Sequence, residues 1–310
     1  MSAWSFSGSR LFRKCPRQWY LKTIIAEPRS KDPIRREAYL LSKLQTIYSW
    51  RGSLVDWVIL MRYIPTIKRG QRVVLGDLLK YAREIFNRQL EFGLANRLRE
   101  PGMKVTETGD AFAAFLDVEY GDDIAKSDIE AAWEDVKIAL TNLVSMKDLQ
   151  AKLESAIQLI PQRSLTFTLD GIKATGQPDL MAFFADQPPL IVDWKVHTYA
   201  SSDYRLQLAL YALALTNCRP HSDFPKEQIS YQETEIQLLE VQLLTNELRK
   251  YHLASEDFDT VSDYMARSAL NMEMTIQGED GDIAIDDLPV TLNDEECQRC
   301  PFRSMCWFRG

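Results

Sequence analysis

Between Ser164 and Phe184 apolar and polar residues alternate with a period of two, and on either side the period lengthens to that of a helix. The stretch SLTFTLD, a central Asp170-Gly171 and the following IKATGQPDLMAFF predict a hairpin, because Asp-Gly is a favoured two-residue turn between alternating strands. After Pro188-Pro189, the run LIVDWKV is continuously apolar up to its acid, the pattern of a strand buried on both faces. DYRLQLALYALALTN predicts a helix, residues 236–244 a further strand, and residues 246–271 a further helix. Ahead of this core the spacing is helical. Residues 7–25 predict a short helix capped by Ser7 or Ser9 and kinked or restarted at Pro16. Residues 35–62 predict a second helix, with Gly52 as a close-packing point or a break. Amphipathic stretches at 76–99, 106–119 and 127–160 predict more helices, with turn signals at Pro101-Gly102 and Gly121. The acidic segment 277–296 predicts an exposed linker. The expected fold is α/β: a mixed sheet core flanked by helices, forming one domain over 1–310 with a helical subdomain at 65–160 inserted ahead of the sheet.

Composition adds exclusions. The chain has 310 residues, 45% hydrophobic and 26% charged, which excludes a disordered or collagen-like polymer. The longest apolar stretch, Leu206 to Leu215, is interrupted by Gln207 and is about half a membrane span, so no membrane association is expected. The opening residues carry no apolar export core, and the expected location is cytoplasmic. Net charge is −7, unevenly spread: residues 1–100 hold 20 Lys and Arg against 8 Asp and Glu, and the remainder holds 17 against 36. A basic third joined to an acidic remainder is consistent either with a surface that meets a polyanion or with a solvated basic face.

The chemistry concentrates around two strands. Gly176-Gln177-Pro178-Asp179 puts an acid at or near the end of one strand, and Asp193-Trp194-Lys195 puts an acid and an ammonium two residues apart on the next. Residues i and i+2 of a strand share a face, so Asp193 and Lys195 project together, and a neighbouring strand can bring Asp179 beside them. Converging carboxylates repel unless a cation lies between them, and hard oxygen donors suit Mg²⁺ or Mn²⁺. An ammonium beside such an ion can orient a water and neutralise charge developing on a phosphate. A second cluster is formed by Cys297, Cys300 and Cys306. Three thiols within ten residues read as metal ligands, Cys15 is the candidate fourth, and the spacing alone admits zinc or an iron–sulfur cluster.

These residues resemble the RecB-like branch of the PD-(D/E)XK nuclease superfamily. Gly176…Asp179 followed by Asp193-Trp194-Lys195 matches its G-x-x-D and D-x-K motifs, Gln207 and Tyr211 match its Q-x-x-x-Y, and SFSGSRLFRKCPRQWYLK is similar to its opening segment. The resemblance covers both ends of the chain and residues 164–255. It implies a restriction-endonuclease-like fold and a metal-dependent DNA nuclease, an exonuclease acting on single strands or DNA ends, serving repair, recombination or CRISPR adaptation. It implies Asp179 and Asp193 as ligands of Mg²⁺ or Mn²⁺ with the Trp194 carbonyl, Lys195 beside the attacking water, and Gln207 and Tyr211 turned toward DNA. One cysteine upstream and three near the C-terminus match the iron–sulfur members of that branch, which include the CRISPR-associated RecB-like exonucleases and AddB-type subunits. That implies a [4Fe-4S] cluster on Cys15, Cys297, Cys300 and Cys306, and a helicase or CRISPR-adaptation proteins as partners. One position departs from the pattern: Asp56 stands where the family carries a metal-ligating histidine. A carboxylate there can still hold Mg²⁺ or Mn²⁺, and the alternative is a weakly active or inactive DNA-binding assembly module. The basic and aromatic residues Arg10, Arg13, Lys14, Arg17, Trp19, Tyr20 and Lys22 are candidates for contact with DNA.

Overall fold

A computed structural model describes residues 3–100, 109–198, 203–226, 231–276, 285–291 and 293–306. Pro101-Gly102, residues 106–108 and residues 277–284 of the expected elements lie outside the described residues. In chain order a two-residue strand β1 (Trp4–Ser5) precedes helices α1 (Phe6–Lys14), α2 (Pro16–Tyr20), α3 (Pro33–Leu41) and α4 (Ile47–Val58). Helix α4 runs through a π-helical turn (Ile59–Tyr63) into α5 (Ile64–Lys68), followed by α6 (Leu75–Ala95), α7 (Leu116–Glu119), α8 (Lys126–Ser145) and α9 (Lys147–Glu154). Strands β2 (Gln158–Pro161), β3 (Leu165–Leu169), β4 (Ile172–Gly176), β5 (Leu180–Phe183) and β6 (Leu190–Lys195) come next. Helix α10 (Asp203–Asn217), strands β7 (Gln237–Gln242) and β8 (Glu247–Tyr251), and helices α11 (Ser255–Ile276), α12 (Asp294–Gln298) and α13 (Arg303–Cys306) complete the chain. Among the described residues no helix is long and apolar enough to cross a membrane.

The chain forms two compact units, one of Met1–Trp50, Ile85–Ile129 and Ala266–Gly310, the other of Arg51–Glu84 and Glu130–Met265. The second holds a five-stranded mixed sheet in the order β2-β5-β6-β7-β8. Strands β6 and β7 pair in parallel, aligning Asp193 with Glu240 and Lys195 with Gln242, and the other pairs are antiparallel. The β3–β4 hairpin turns at Asp170 and Gly171, both with positive φ (50° and 79°), as a type I′ turn requires. Helix α10 packs on this hairpin and on β6 and β7. It can do so closely because β4 ends in Gly176: a Cβ there would lie 3.1 Å from the Tyr211 ring. This architecture is the mixed sheet flanked by helices that the sequence predicts.

In the first unit Trp50 packs against Phe86 and Phe115, with ring centroids 4.8 and 5.2 Å apart. Gly93 admits the Phe115 ring where any side chain would clash, a built Cβ lying 2.5 Å from it. A separate core of Leu21, Ala38, Leu41, Phe302 and Met305 joins the N-terminal helices to the C-terminal segment of the same unit.

Several boundaries differ from the sequence expectation. The cap of α1 is Ser5, whose Oγ accepts the Gly8 N–H at 3.1 Å, rather than Ser7 or Ser9; Ser9 is buried and hydrogen-bonded to Ser268 Oγ at 2.6 Å. The helix expected over 35–62 is two, separated at residues 42–46, where Gln45 bridges to Phe115. Gly52 is neither a break nor a close-packing point, since nothing lies within 4 Å of a Cβ built there. Among the described residues of 106–119 only a short 3₁₀ turn and α7 are helical, and Phe112–Phe115 are not, with Ala113, Ala114 and Phe115 buried. Residues 158–160 belong to strand β2 rather than to a helix, because Leu159 and Ile160 fill the sheet core. The single strand expected over 172–184 is two strands in different sheets, broken at Gln177-Pro178-Asp179. Residues 247–251 pair with β7 as β8, with Asn246 at φ 57° in the turn, so the last long helix begins at Ser255. The linker expected over 277–296 is partly ordered and partly buried where described: Leu288 is buried, and α12 begins at Asp294.

Candidate active site and cysteine cavity

Asp193 and Lys195 share one face of the central strand β6, as the two-residue period demands, and form an ion pair with each other. Asp193 is 2% exposed. Asp179 lies in the break before β5, and its Oδ2 accepts the Trp194 N–H at 2.8 Å, which fixes its carboxylate against the β6 backbone. Asp56 enters from α4. That helix is anchored by buried Arg51, which pairs with Asp135 of α8 and donates from NH2 to the Val196 carbonyl at 2.7 Å, at the end of β6. Gln207 and Tyr211 stand one turn apart on α10: Gln207 Oε1 accepts from Lys195 Nζ at 3.4 Å, and Nε2 donates to the Tyr211 hydroxyl at 2.7 Å. Asp56, Asp179, Asp193, Lys195, Gln207 and Tyr211 therefore lie in the second unit and act on one another there.

The electrostatics are those of crowded acids. Burial raises the Asp179 carboxyl well above the usual carboxylate range, and the charges of Asp193 and Asp56 push it further. The Trp194 N–H and Lys195 work in the opposite direction. Asp56 is pushed up to about 7, by burial first and Asp193 second, against the pull of Lys195. Asp193 is raised by burial, opposed by its pair with Lys195, with Glu240 adding to the rise. The Tyr211 hydroxyl is raised by burial and then by Asp193 and Asp179. Three carboxylates and one ammonium leave an excess of negative charge that a divalent cation would relieve.

Two residues escaped the sequence reading. Glu240 is fully buried on β7, directly beside Asp193 in register, and accepts from Gln242 Nε2 (2.6 Å), Arg249 NH1 (3.1 Å) and the Tyr251 hydroxyl (2.7 Å). An acid inside IQLLEVQLL was a visible signal, since a buried carboxylate needs partners. Two of those partners, Arg249 and Tyr251, sit on β8, which the helical reading of 246–271 hid. Tyr204 is the other: its ring lies 4.6 Å beneath Lys195 Nζ, and its hydroxyl is 2.7 Å from His197 Nε2.

The four cysteines gather in the first unit, lining a cavity of about 360 Å³ with Arg17 and Phe302. The Cys15 Sγ accepts the Gln18 N–H at 3.5 Å, capping α2, with Pro16 in the first turn. Arg17 donates from NH1 to Cys306 Sγ at 3.5 Å and from NH2 to the carbonyls of Asp286 (2.8 Å) and Leu288 (3.0 Å). Burial pushes the Cys300 thiol up to about 12, with Cys15, Cys306 and Cys297 adding to the rise. Cys218 stands in the other unit, its Sγ 3.6 Å from the Leu215 carbonyl. Trp19 (1% exposed) and Tyr20 (8%) are core residues and offer no face to a nucleic acid, while Arg17 and Lys14 are engaged with Asp286 and Glu296. Among the described residues no three His, Cys, Asp or Glu side chains are placed so that they would together hold a metal ion.

The chain belongs to the PD-(D/E)XK nuclease superfamily, whose model matches residues 3–307. Members of that superfamily are nucleases and typically use Mg²⁺ or Mn²⁺. Among solved structures, "SSO0001" matches at 14% identity with TM-score 0.30, covering 73% of this chain and 96% of that one. A "Putative exonuclease" from Eubacterium rectale matches at 12% identity with TM-score 0.40, covering 89% of this chain and 83% of that one. No curated protein matches the chain in sequence.

Proposed function

We propose that this protein is a metal-dependent DNA phosphodiesterase, an exonuclease working on single strands or DNA ends. The observation that carries the reading is the mutual crowding of Asp56, Asp179 and Asp193 around Lys195 in one compact unit. Asp179, Asp193 and Asp56, with the Trp194 carbonyl, would hold one or two Mg²⁺ or Mn²⁺ ions; the donor type, all hard oxygen, suits those ions, and the carboxylates would have to draw together around them. Such an ion, when bound, supplies Lewis-acid stabilisation of the phosphorane charge and a more acidic water. The protein's own residues do the rest. Lys195, held between Asp193, Gln207 and the Tyr204 ring, presents a fixed ammonium to the attacking water and the developing phosphate charge. Gln207 bridges Lys195 to Tyr211 and so orients both toward the strand being cut. The reaction is phosphodiester hydrolysis by in-line attack of water on phosphorus.

Cys15, Cys297, Cys300 and Cys306, which line one cavity, have the donor type and number of a [4Fe-4S] cluster and would hold it by drawing together around it. Its role here is structural, closing a loop of nearly the whole chain. The protein works in the cytoplasm, in repair, recombination or CRISPR adaptation, beside a helicase or adaptation proteins. The test is cleavage of end-labelled single strands, duplexes and closed circles with Mn²⁺ by anaerobically purified protein, alongside Asp179→Ala and Lys195→Ala. Loss of cleavage in both variants is expected. Equal activity in all three would overturn the reading, and DNA binding without cleavage would leave an assembly module in its place.

A further inference from the structure

Immediately after Asp56 the polypeptide builds an elbow out of the π-helical turn, α5 and the start of α6, within the basic first third of a chain whose net charge is −7. Residues 62–83 hold Arg62, Lys68, Arg69, Arg72, Lys80 and Arg83 against a single acid, Asp77, and all six cations are exposed. Among the described residues Arg62, Lys68, Arg69, Arg72 and Lys80 make no ion pair. Exposed cations left unneutralised in a cluster repel one another, a cost that a polyanion on the same surface removes.

The elbow also carries a built stack. The Arg62 guanidinium lies over the Tyr81 ring at 4.1 Å from its centroid, and the Tyr81 hydroxyl accepts the Trp57 Nε1–H at 3.1 Å. Trp57 is the residue after Asp56, so this stack is fastened to the helix that delivers a candidate metal ligand, within the same compact unit. Tyr81 is held by Trp57 and holds Arg62 flat, which makes the guanidinium a planar, charged platform at low entropic cost. A flat guanidinium stacks on an unpaired base and offers donors to a phosphate, whereas a paired base in a duplex keeps its face inside the helix.

We propose that the Arg62–Arg83 elbow is the path along which a single DNA strand reaches the Asp56 side of the site, with Lys68, Arg69 and Arg72 on backbone phosphates and one base stacked on Arg62. The inference deepens the nuclease reading and rests on it for the identity of the strand as substrate, but binding is measured without cleavage. The experiment uses the full-length protein with Ca²⁺ in place of Mn²⁺ and a fluorescein-labelled dT20 strand, with Kd followed from 50 to 300 mM KCl. Single strands give a salt slope of about −0.7 per phosphate contact. The triple variant K68A/R69A/R72A is therefore expected to weaken binding at least tenfold and to flatten the slope by about 2. Arg62→Lys keeps the charge and loses the plane; it is expected to keep the slope and lose affinity for dT20 severalfold, with no loss on a duplex of equal length. Circular dichroism melts within a few degrees of the wild type establish that the variants fold. An unchanged Kd and slope in the triple variant would remove the elbow from the DNA path. Equal losses on strand and duplex in Arg62→Lys would overturn the stacking assignment. If wild type binds dT20 through the elbow yet cuts nothing with Mn²⁺, the nuclease reading fails and the binding surface stands.

Discussion

The acidic site and the cysteine cavity solve opposite problems. In the first, charged groups are held against one another by rigid elements: Asp193 and Lys195 by the pleat of β6, Asp179 by the Trp194 N–H, and Asp56 by the Arg51 anchor of α4. An ion held there, as proposed, would relieve the repulsion among these carboxylates. In the second, the cysteines come from residue 15 and residues 297–306, and what gathers them is slight: the Arg17 clamp on two carbonyls and a small core around Phe302. Burial there pushes the Cys300 thiol up to about 12. On the proposed reading, a metal would give the first site reactivity and would give the second structure.

The comparison breaks most visibly in catalysis. Asp193→Asn or Lys195→Ala is expected to lower kcat by at least ~10²–10³-fold, with little change in melting temperature, because each removes a group aimed at the reaction from a sheet that remains paired. Cleavage kinetics beside a thermal melt read both quantities. A collapse of the fold in Lys195→Ala would mean that the ammonium is structural.

Next in size is the response to ligand loss. Cys300→Ala is expected to abolish the iron chromophore and lower the melting temperature by about 5–10 °C. Chelation of divalent ions from the acidic site is expected to cost only about 1–2 kcal/mol at moderate metal concentrations. Visible absorption, iron content and calorimetry separate the two. An equal loss in both cases would erase the contrast.

A smaller effect concerns pH. The Asp56 carboxyl is raised to about 7 in the folded, metal-free protein, above its value in the unfolded chain. The folded state then holds the extra proton, and its stability falls as pH rises from about 4 through 7. Asp56→Asn has no such proton to lose. The metal-free variant is expected to melt several degrees above wild type at pH 8 and nearly with it at pH 5. A constant difference across that range would show that burial and Asp193 do not raise the Asp56 carboxyl.

The smallest change tests the spacing of α10. Gly176→Ala places a Cβ 3.1 Å from Tyr211, so the ring must give by a few tenths of an ångström. A loss of about 1 kcal/mol in stability and a modest fall in kcat are expected. No change in either would mean that the Tyr211 ring moves freely.

Much of this was legible in the chain. The Asp170-Gly171 hairpin, the apolar strand ending in Asp193-x-Lys195 and helix 203–217 follow from local rules, since turn chemistry and side-chain period act within a few residues. The candidate acids were visible for the same reason, as charges set inside apolar strands and turns. Strand β8 was not, because ELRKY is polar and reads as a helix until β7 supplies its hydrogen bonds. With β8 went the partners of Glu240.

Sequence by itself determined which residues are candidates for the chemistry and which short elements present them. Tertiary structure decided that Asp56 meets Asp179 and Asp193, that Glu240 lies beside them satisfied by Arg249 and Tyr251, and that Cys15 joins three cysteines almost 300 residues away. The physical reason is range. Backbone propensity and amphipathic period are set by near neighbours, whereas charge crowding and cavity walls depend on distances in space that no local pattern encodes.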